Sequence, residues 1–201
     1  MASNLRTTKY RDGSEITYIT DGTKWNTYTA SAYCWPINNI EKKIYYGGLY
    51  NKSTIYSGRI CPNGWKVPTT NDFENLSAYL GGMNIAGKKM KVADASFWIE
   101  GPNGDNSSGF SAYPAGQRSS NGFTFGNEVK FWAYKNVSNS TNQDNGVIFY
   151  SLYHDDEAMQ TEEYATNINY GLSVRCIVGE QNIPIVITTP IANYTGTSAT
   201  F

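Results

Sequence analysis

An α+β fold in which strands outnumber helices follows from three features of this 201-residue chain. Short alternating or aromatic runs recur between turn signals. Only two segments carry helical periodicity. Gly, Ser, Thr, Asn and Tyr are plentiful while charged residues make up 16%. That balance suits a loop-rich β protein displayed outside a cell or on a particle better than a cytosolic helical enzyme. The formal charge is −1 and Lys/Arg runs are absent, so nucleic acid is not an expected partner. No apolar run is long enough to span a bilayer. Residues 1–10 lack the apolar stretch of a signal peptide. Export then relies on a leader already removed, or on another route such as a virus particle.

The best-marked element runs over residues 60–80, and the fold is expected to assemble against it. Cys61-Pro62-Asn63-Gly64-Trp65 reads as a tight turn: Pro62 fixes φ, and Asn63 and Gly64 tolerate positive φ. Lys66-Val67-Pro68 is extended, because a residue before proline avoids the α region. Thr69 is the expected N-cap, with Asp72 in the first turn where a carboxylate suits the helix dipole. Phe73, Leu76 and Leu80 share a face, and Gly81-Gly82 stops the helix.

Before this element, Asp12-Gly13 and Asp21-Gly22 signal turns around the alternating run Glu15-Ile16-Thr17-Tyr18-Ile19. Trp25, Tyr28, Tyr33 and Trp35 cluster around Cys34. In residues 44–51 the pair Gly47-Gly48 permits close backbone approach. After it, residues 85–92 form a second short helix with Ile85, Met90 and Val92 inward, although Gly87 weakens it. Phe97-Trp98 is a candidate buried pair, and residues 101–109 form a loop. Residues 110–116 read as a strand ending at a turn, 119–122 as a hairpin tip, and 126–132 as the approach to another strand. Residues 135–145 are a polar loop, 147–153 a strand, 154–163 an acidic polar stretch, and 170–178 one clear strand.

From Gln181 onward the chain carries no charge. Ile183, Ile185 and Ile187 alternate as in a half-buried strand, while Pro184 and Pro190 restrict it to an edge or an extended arm. Residues 179–201 are therefore either a last strand on the chain's own domain or an arm docked on a neighbouring subunit. The neighbour is favoured, because an exposed uncharged strand invites aggregation. Three cysteines, Cys34, Cys61 and Cys176, permit one disulfide with one thiol left over. Their spacing does not choose the pair.

Six motifs now line up in order: Asn4-Leu5-Arg6-Thr7-Thr8-Lys9-Tyr10-Arg11-Asp12-Gly13-Ser14; Ala32-Tyr33-Cys34-Trp35; Cys61-Pro62-Asn63-Gly64-Trp65-Lys66-Val67-Pro68-Thr69; Ala86-Gly87-Lys88-Lys89-Met90-Lys91; residues 108–116; and Tyr170-Gly171-Leu172-Ser173-Val174-Arg175-Cys176. Over residues 4–178 they resemble the Fibrobacter succinogenes major paralogous domain family. The resemblance implies a C-type lectin-like fold: a twisted antiparallel sheet, two helices and long loops that present a binding face. The domain would span 1–178, with 179–201 as the arm or extra strand. Such domains occur in secreted or surface-anchored bacterial proteins. Relatives serve as variable binding proteins of diversity-generating retroelements, including phage receptor-binding proteins. The added tail points to a subunit of a larger assembly, a virion, fibre or pilus.

By the same resemblance the variable face lies at 134–169. Its candidate ligand-binding residues are Tyr134, Asn136, Asn139, Asn142, Asn145, Tyr150, Tyr153, His154, Tyr164, Asn167 and Asn169. Tyr offers rigid amphipathic area and Asn adaptable hydrogen bonding. The expected partner is a glycan or protein on a cell surface, with neighbouring subunits contacted through 181–201. His154-Asp155-Asp156-Glu157 is the one chemical-looking cluster. Its spacing does not support a Ca²⁺ loop, so an exposed acidic turn is expected and no cofactor or metal. Cys61 is expected to pair with Cys176 and tie the helix-bearing half to the last strand, or else all three cysteines are buried thiols. A formylglycine-generating type of oxidase, which shares the lectin-like fold, is the minor alternative. With one His and scattered cysteines, the chain reads as a binding protein rather than an enzyme. Trp65, Trp98 and Trp132 read as core.

Overall fold

The computed structural model describes residues 2–94, 96–99, 104–135, 146–163 and 169–179. The fold is mixed α+β, mostly sheet with few helices. Six strands make one sheet: β1 (Thr17–Tyr18), β2 (Ala32–Cys34), β3 (Leu49–Asn51), β5 (Gln117–Ser119), β6 (Gly122–Thr124) and β10 (Gly171–Leu172), in the order β1-β2-β3-β10-β5-β6. β1 and β2 run parallel and the other pairs antiparallel. A second sheet pairs β4 (Trp65–Lys66) with β11 (Ile177–Val178). The third, β7 (Glu128–Tyr134), β8 (Val147–Tyr153) and β9 (Met159–Glu163), is antiparallel throughout.

β7 joins the three sheets. One edge pairs with β8 along its whole length. The other edge is met by single bridges from Gly116, Ser173 and Thr69. Alternation along β7 and β8 then divides the core. One face sends Val129, Phe131, Ala133, Tyr150 and Leu152 against Phe73, Leu80, Ala86 and Met90. The opposite face sends Trp132, Val147 and Phe149 against Tyr50, Ile55, Leu172 and Val174. β7 and β8, buried on both sides, form a platform, while β9 is the sheet's exposed edge.

The helix expected against residues 60–80 is α4 (Thr70–Tyr79). Thr69 caps it and forms a reciprocal capping box with Asp72, and Leu80 closes it before Gly81 and Gly82. Lys66 Nζ lies 3.1 Å from the Asp72 carboxylate. Phe73 stacks on Tyr150 at 4.4 Å between ring centroids. The turn before it closes with Trp65 N donating to Pro62 O at 3.0 Å. The second helix, α5 (Met83–Met90), begins two residues earlier than expected. It buries Ala86, Gly87 and Met90, while Ile85 is only half-buried.

Several expectations change. Among the described residues there are three further short α-helices, α1 (Gly22–Thr27), α2 (Lys43–Tyr46) and α3 (Lys52–Tyr56), besides two single 3-10 turns. At four to six residues they are too short to show a period. The Asp21 and Asn51 side chains cap α1 and α3, so Asp21-Gly22 starts a helix rather than a simple turn. Residues 110–116 are irregular instead of a strand, with Ser111 at φ 54° and single bridges from Ala112 to Lys91 and from Gly116 to Val129. Residues 170–178 are two strands, not one: β10 belongs to the large sheet and β11 to the small one, and the buried residues between them turn toward β7 and the N-terminal segment. Leu5 N donates to Val174 O at 2.8 Å. The end of the acidic stretch 154–163 is a strand, β9. Of the expected arm, 179–201, only Gly179 is described; the residues from 180 onward lie outside the described ones.

Candidate functional site

The register of the third sheet brings three chain ends to one edge. Tyr134 pairs with Val147, and Ile148 pairs with Glu163. Lys135 N donates to Gly146 O at 2.8 Å, and Lys135 Nζ lies 3.1 Å from Glu163 Oε1. The segments 136–145 and 164–168 therefore both leave the platform from the same end. The predicted residues Asn136, Asn139, Asn142, Asn145, Tyr164 and Asn167 fall in those segments and lie outside the described residues.

The remaining predicted residues are described, and most of them build the platform. Tyr150 is 1% exposed. It sits in the core against Phe73, and burial pushes its phenol up to about 12. Tyr134 is half-buried; its hydroxyl donates to Ile55 O, and burial pushes it, too, up to about 12. The Tyr150 ring is therefore closed off from the surface, while the Tyr134 ring is partly exposed. Tyr153 is half-buried and donates to Glu162 Oε1 at 2.5 Å. Asn169 Nδ2 donates to the carbonyls of Trp25 and Tyr28, and Trp25 Nε1 donates back to Asn169 O at 2.6 Å. Asn169 thus fastens the far end of the segment onto α1.

The side chains around Tyr153 form a cluster that sequence reasoning missed. Glu162 accepts from Ser151, from Tyr153 and from Lys130 Nζ at 3.0–3.1 Å. Lys130 Nζ is also 3.6 Å from Glu128 Oε2, and Thr124 donates to Glu128. Burial alone would lower the Lys130 ammonium, but Glu128 and Glu162 outweigh it and raise its pKa. Burial likewise works against ionised Glu162, and the bonds from Ser151, Tyr153 and Lys130 overcome it and lower its pKa. Lys130 and Glu162 are thus both held charged at neutral pH. The cluster locks β7, β8 and β9 together in the manner of a buried ion network. The available signal was the alternation Gln160, Thr161, Glu162, which reads as polar loop unless its partners on β7 and β8 are known.

His154-Asp155-Asp156-Glu157 also serves packing. His154 N donates to Asn127 O, and its Nε2 is 3.8 Å from Asp155 Oδ1. Asp156 accepts from Ala158 N and from Gln160 Nε2. Glu157 meets Lys88 at 2.6 Å. Lys91 Nζ donates to the carbonyls of Tyr153 and Asp156, and burial pulls its ammonium down to about 8. Among the described residues, no group of three or more His, Cys, Asp or Glu is placed to hold a metal ion.

Cys61 and Cys176 form a disulfide across 115 residues, the bond of a chain that matures in an oxidising environment. Cys34 is free and buried. Burial pushes its thiol up to about 12, against the pull of the nearby Arg118 guanidinium. A thiol in that state is a poor nucleophile at neutral pH. Beside the disulfide lies a groove of about 310 Å³ lined by Pro68, Phe73, Leu76, Phe110 and Ile177, with Asp72 and Arg175 as its charged members. Arg175 stacks on Phe110 at 3.9 Å and donates to Asn4 Oδ1 and to the Phe110 and Ser111 carbonyls. Burial pulls its pKa down to about 9. Among the described residues, no helix is long and apolar enough to cross a membrane.

The family model described as the Fibrobacter succinogenes major domain matches residues 1–178, and the chain belongs to that family. No curated protein and no solved structure matches it.

Proposed function

We propose that this Fibrobacter succinogenes major domain protein is a non-enzymatic ligand-binding display domain of C-type lectin-like architecture. It recognises a carbohydrate or protein on a cell surface. The observation that carries this reading is the common origin of 136–145 and 164–168 at one end of the third sheet, whose strands β7 and β8 are buried on both faces. Binding residues concentrate on loops held by a rigid scaffold. These two segments are rich in Asn and include Tyr164, a composition suited to adaptable recognition. The chain works outside the cell or on a virion, in keeping with its disulfide. The test is a glycan array together with capture of surface proteins, using the full chain and an Asn139→Ala/Asn142→Ala/Tyr164→Ala variant. The reading expects binding that the variant loses with its thermal midpoint unchanged. Absence of binding on both platforms, or full retention by the variant, overturns it.

A second reading, compatible with the first, is favoured by the groove at Ile177. The described chain ends two residues beyond Ile177, at Gly179, and the uncharged Ile183, Ile185 and Ile187 follow. On this reading 179–201 is an assembly arm, and its isoleucines occupy the groove of a neighbouring copy in a fibre, pilus or virion. Light scattering on the full chain decides it: assemblies that dissociate when Leu76→Asp is introduced into the groove support the arm, and a monomer at all concentrations removes it.

A further inference from the structure

A second concavity, of about 470 Å³, opens between α1 and the β5–β6 hairpin, within the size range of small-molecule sites. It contains none of the residues of the loop cluster. Thr23 and Asn26 stand on one wall, Ser119, Asn121 and Phe123 on the other, and Arg118 joins the two. Arg118 is 2% exposed. Its Nη1 donates to Ile19 O at 2.6 Å and its Nη2 to Thr20 O at 2.8 Å. The guanidinium is flanked by the rings of Trp25 at 4.6 Å and Phe123 at 5.1 Å. The walls are braced from behind. Asn169 bonds Trp25, and a Cβ on Gly171 would stand 2.7 Å from the Trp25 ring.

Two properties of the cleft point to a ligand. Arg118 is a buried cation whose partners are the carbonyls of Ile19 and Thr20 and the Cys34 thiol, and among the described residues it forms no ion pair with a carboxylate. A buried charge without a counter-ion is costly, and an incoming anion lowers that cost. Apart from Arg118, the cleft is lined by hydroxyls, amides, backbone and one aromatic ring, with no charged side chain. Hydroxyl and amide groups match the alternating donors and acceptors of a polyhydroxylated ring. A guanidinium matches a carboxylate.

We propose that this cleft is a binding site for a carboxylate-bearing saccharide, with the acid directed at Arg118 and the ring hydroxyls at Thr23, Asn26, Ser119 and Asn121. This site neither requires nor excludes recognition by the loop cluster.

The experiment is ligand-observed NMR and calorimetry on the full chain with glucuronate and N-acetylneuraminate. Their methyl esters, glucose and inorganic phosphate are the comparison ligands. An acid should bind about tenfold or more tightly than its ester, as one charge-assisted hydrogen bond warrants, and its affinity should fall with added salt. The rim variant Asn26→Ala/Asn121→Ala should lose the acid while keeping the wild-type thermal midpoint. Arg118→Lys, read only if it folds, should retain the preference for acid over ester at lower affinity. Equal affinity for acid and ester, binding of phosphate alone, binding that survives the rim variant, or no binding of either acid overturns the proposal.

Discussion

A glycine inside a helix costs about 0.5–1 kcal/mol relative to alanine, yet α5 keeps one at position 87. Its reason lies on the turn before β9. A Cβ at Gly87 would stand 2.2 Å from Ala158 O and 2.8 Å from Glu157 O, and Lys88 N donates to Glu157 O at 2.8 Å. The helix backbone rests directly on the turn's carbonyls. Gly87→Ala should therefore destabilise the protein by about 1–3 kcal/mol, the usual cost of overpacking, in spite of the better helix propensity. Urea unfolding followed by far-ultraviolet dichroism measures it; an unchanged or raised midpoint would show that the turn yields freely. The same contact accounts for the run Ala86-Gly87-Lys88-Lys89-Met90-Lys91. Ala86 and Met90 are buried, Lys88 meets Glu157, Lys89 donates to Leu80 O, and Lys91 holds the carbonyls of Tyr153 and Asp156. Read alone, Gly87 counts against a helix, because the atom that requires it belongs to a distant part of the chain.

Elements with local signals were legible, and those defined by distant partners were not. α4 has its cap, face and stop within a dozen residues, and β8 spans the residues expected of it. β9 looks like loop because Gln160 and Thr161 are exposed and Glu162 meets Ser151 and Lys130 rather than a hydrophobic layer. Lys130 is the centre of that arrangement, with its side chain 6% exposed. Lys130→Met removes the one cation between Glu128 and Glu162 and leaves two carboxylates facing each other. At neutral pH the loss should be about 3 kcal/mol, as for a buried pair deprived of one partner. The pH dependence has a definite sign. Glu162 is depressed in the folded wild type, so its contribution is present above its unfolded pKa and is lost as pH falls through the lower folded value. The gap between wild type and Lys130→Met should accordingly narrow on acidification. Chemical denaturation at a series of pH values tests this, and a gap that widens toward low pH contradicts it.

At the scale of the whole molecule, the ordered family motifs locate the scaffold, and the scaffold is where their residues are found. Asn4, Cys61, Gly87, Lys91, Arg175 and Cys176 are all buried and bonded to one another or to neighbouring elements. The predicted binding residues divide differently. Tyr150 and Tyr134 are strand positions on β8 and β7, and in strands buried on both faces a two-residue period does not separate a core ring from an exposed one. The cleft at Arg118 was not legible at all, because its walls come from residues 20–26 and 118–123, which no local pattern connects. What holds these separate pieces in one body is the long covalent tie. Cys61 precedes β4 and α4, Cys176 precedes β11, and β4 pairs with β11, so the disulfide and the small sheet close the same junction. It encloses a loop of 115 residues in sequence separation, which includes both helices of the platform and all of β7–β9. Cross-linking so long a loop restricts the unfolded chain strongly, and removal of such a bond costs about 2–5 kcal/mol. A Cys61→Ser/Cys176→Ser variant should lose that much in guanidinium unfolding. Reductant should lower the wild-type midpoint toward that of the variant and leave the variant unmoved, since Cys34 is buried and already reduced. A variant within 1 kcal/mol of wild type would mean that the β4–β11 pairing and the Arg175–Asn4 bonds close the junction without the covalent tie.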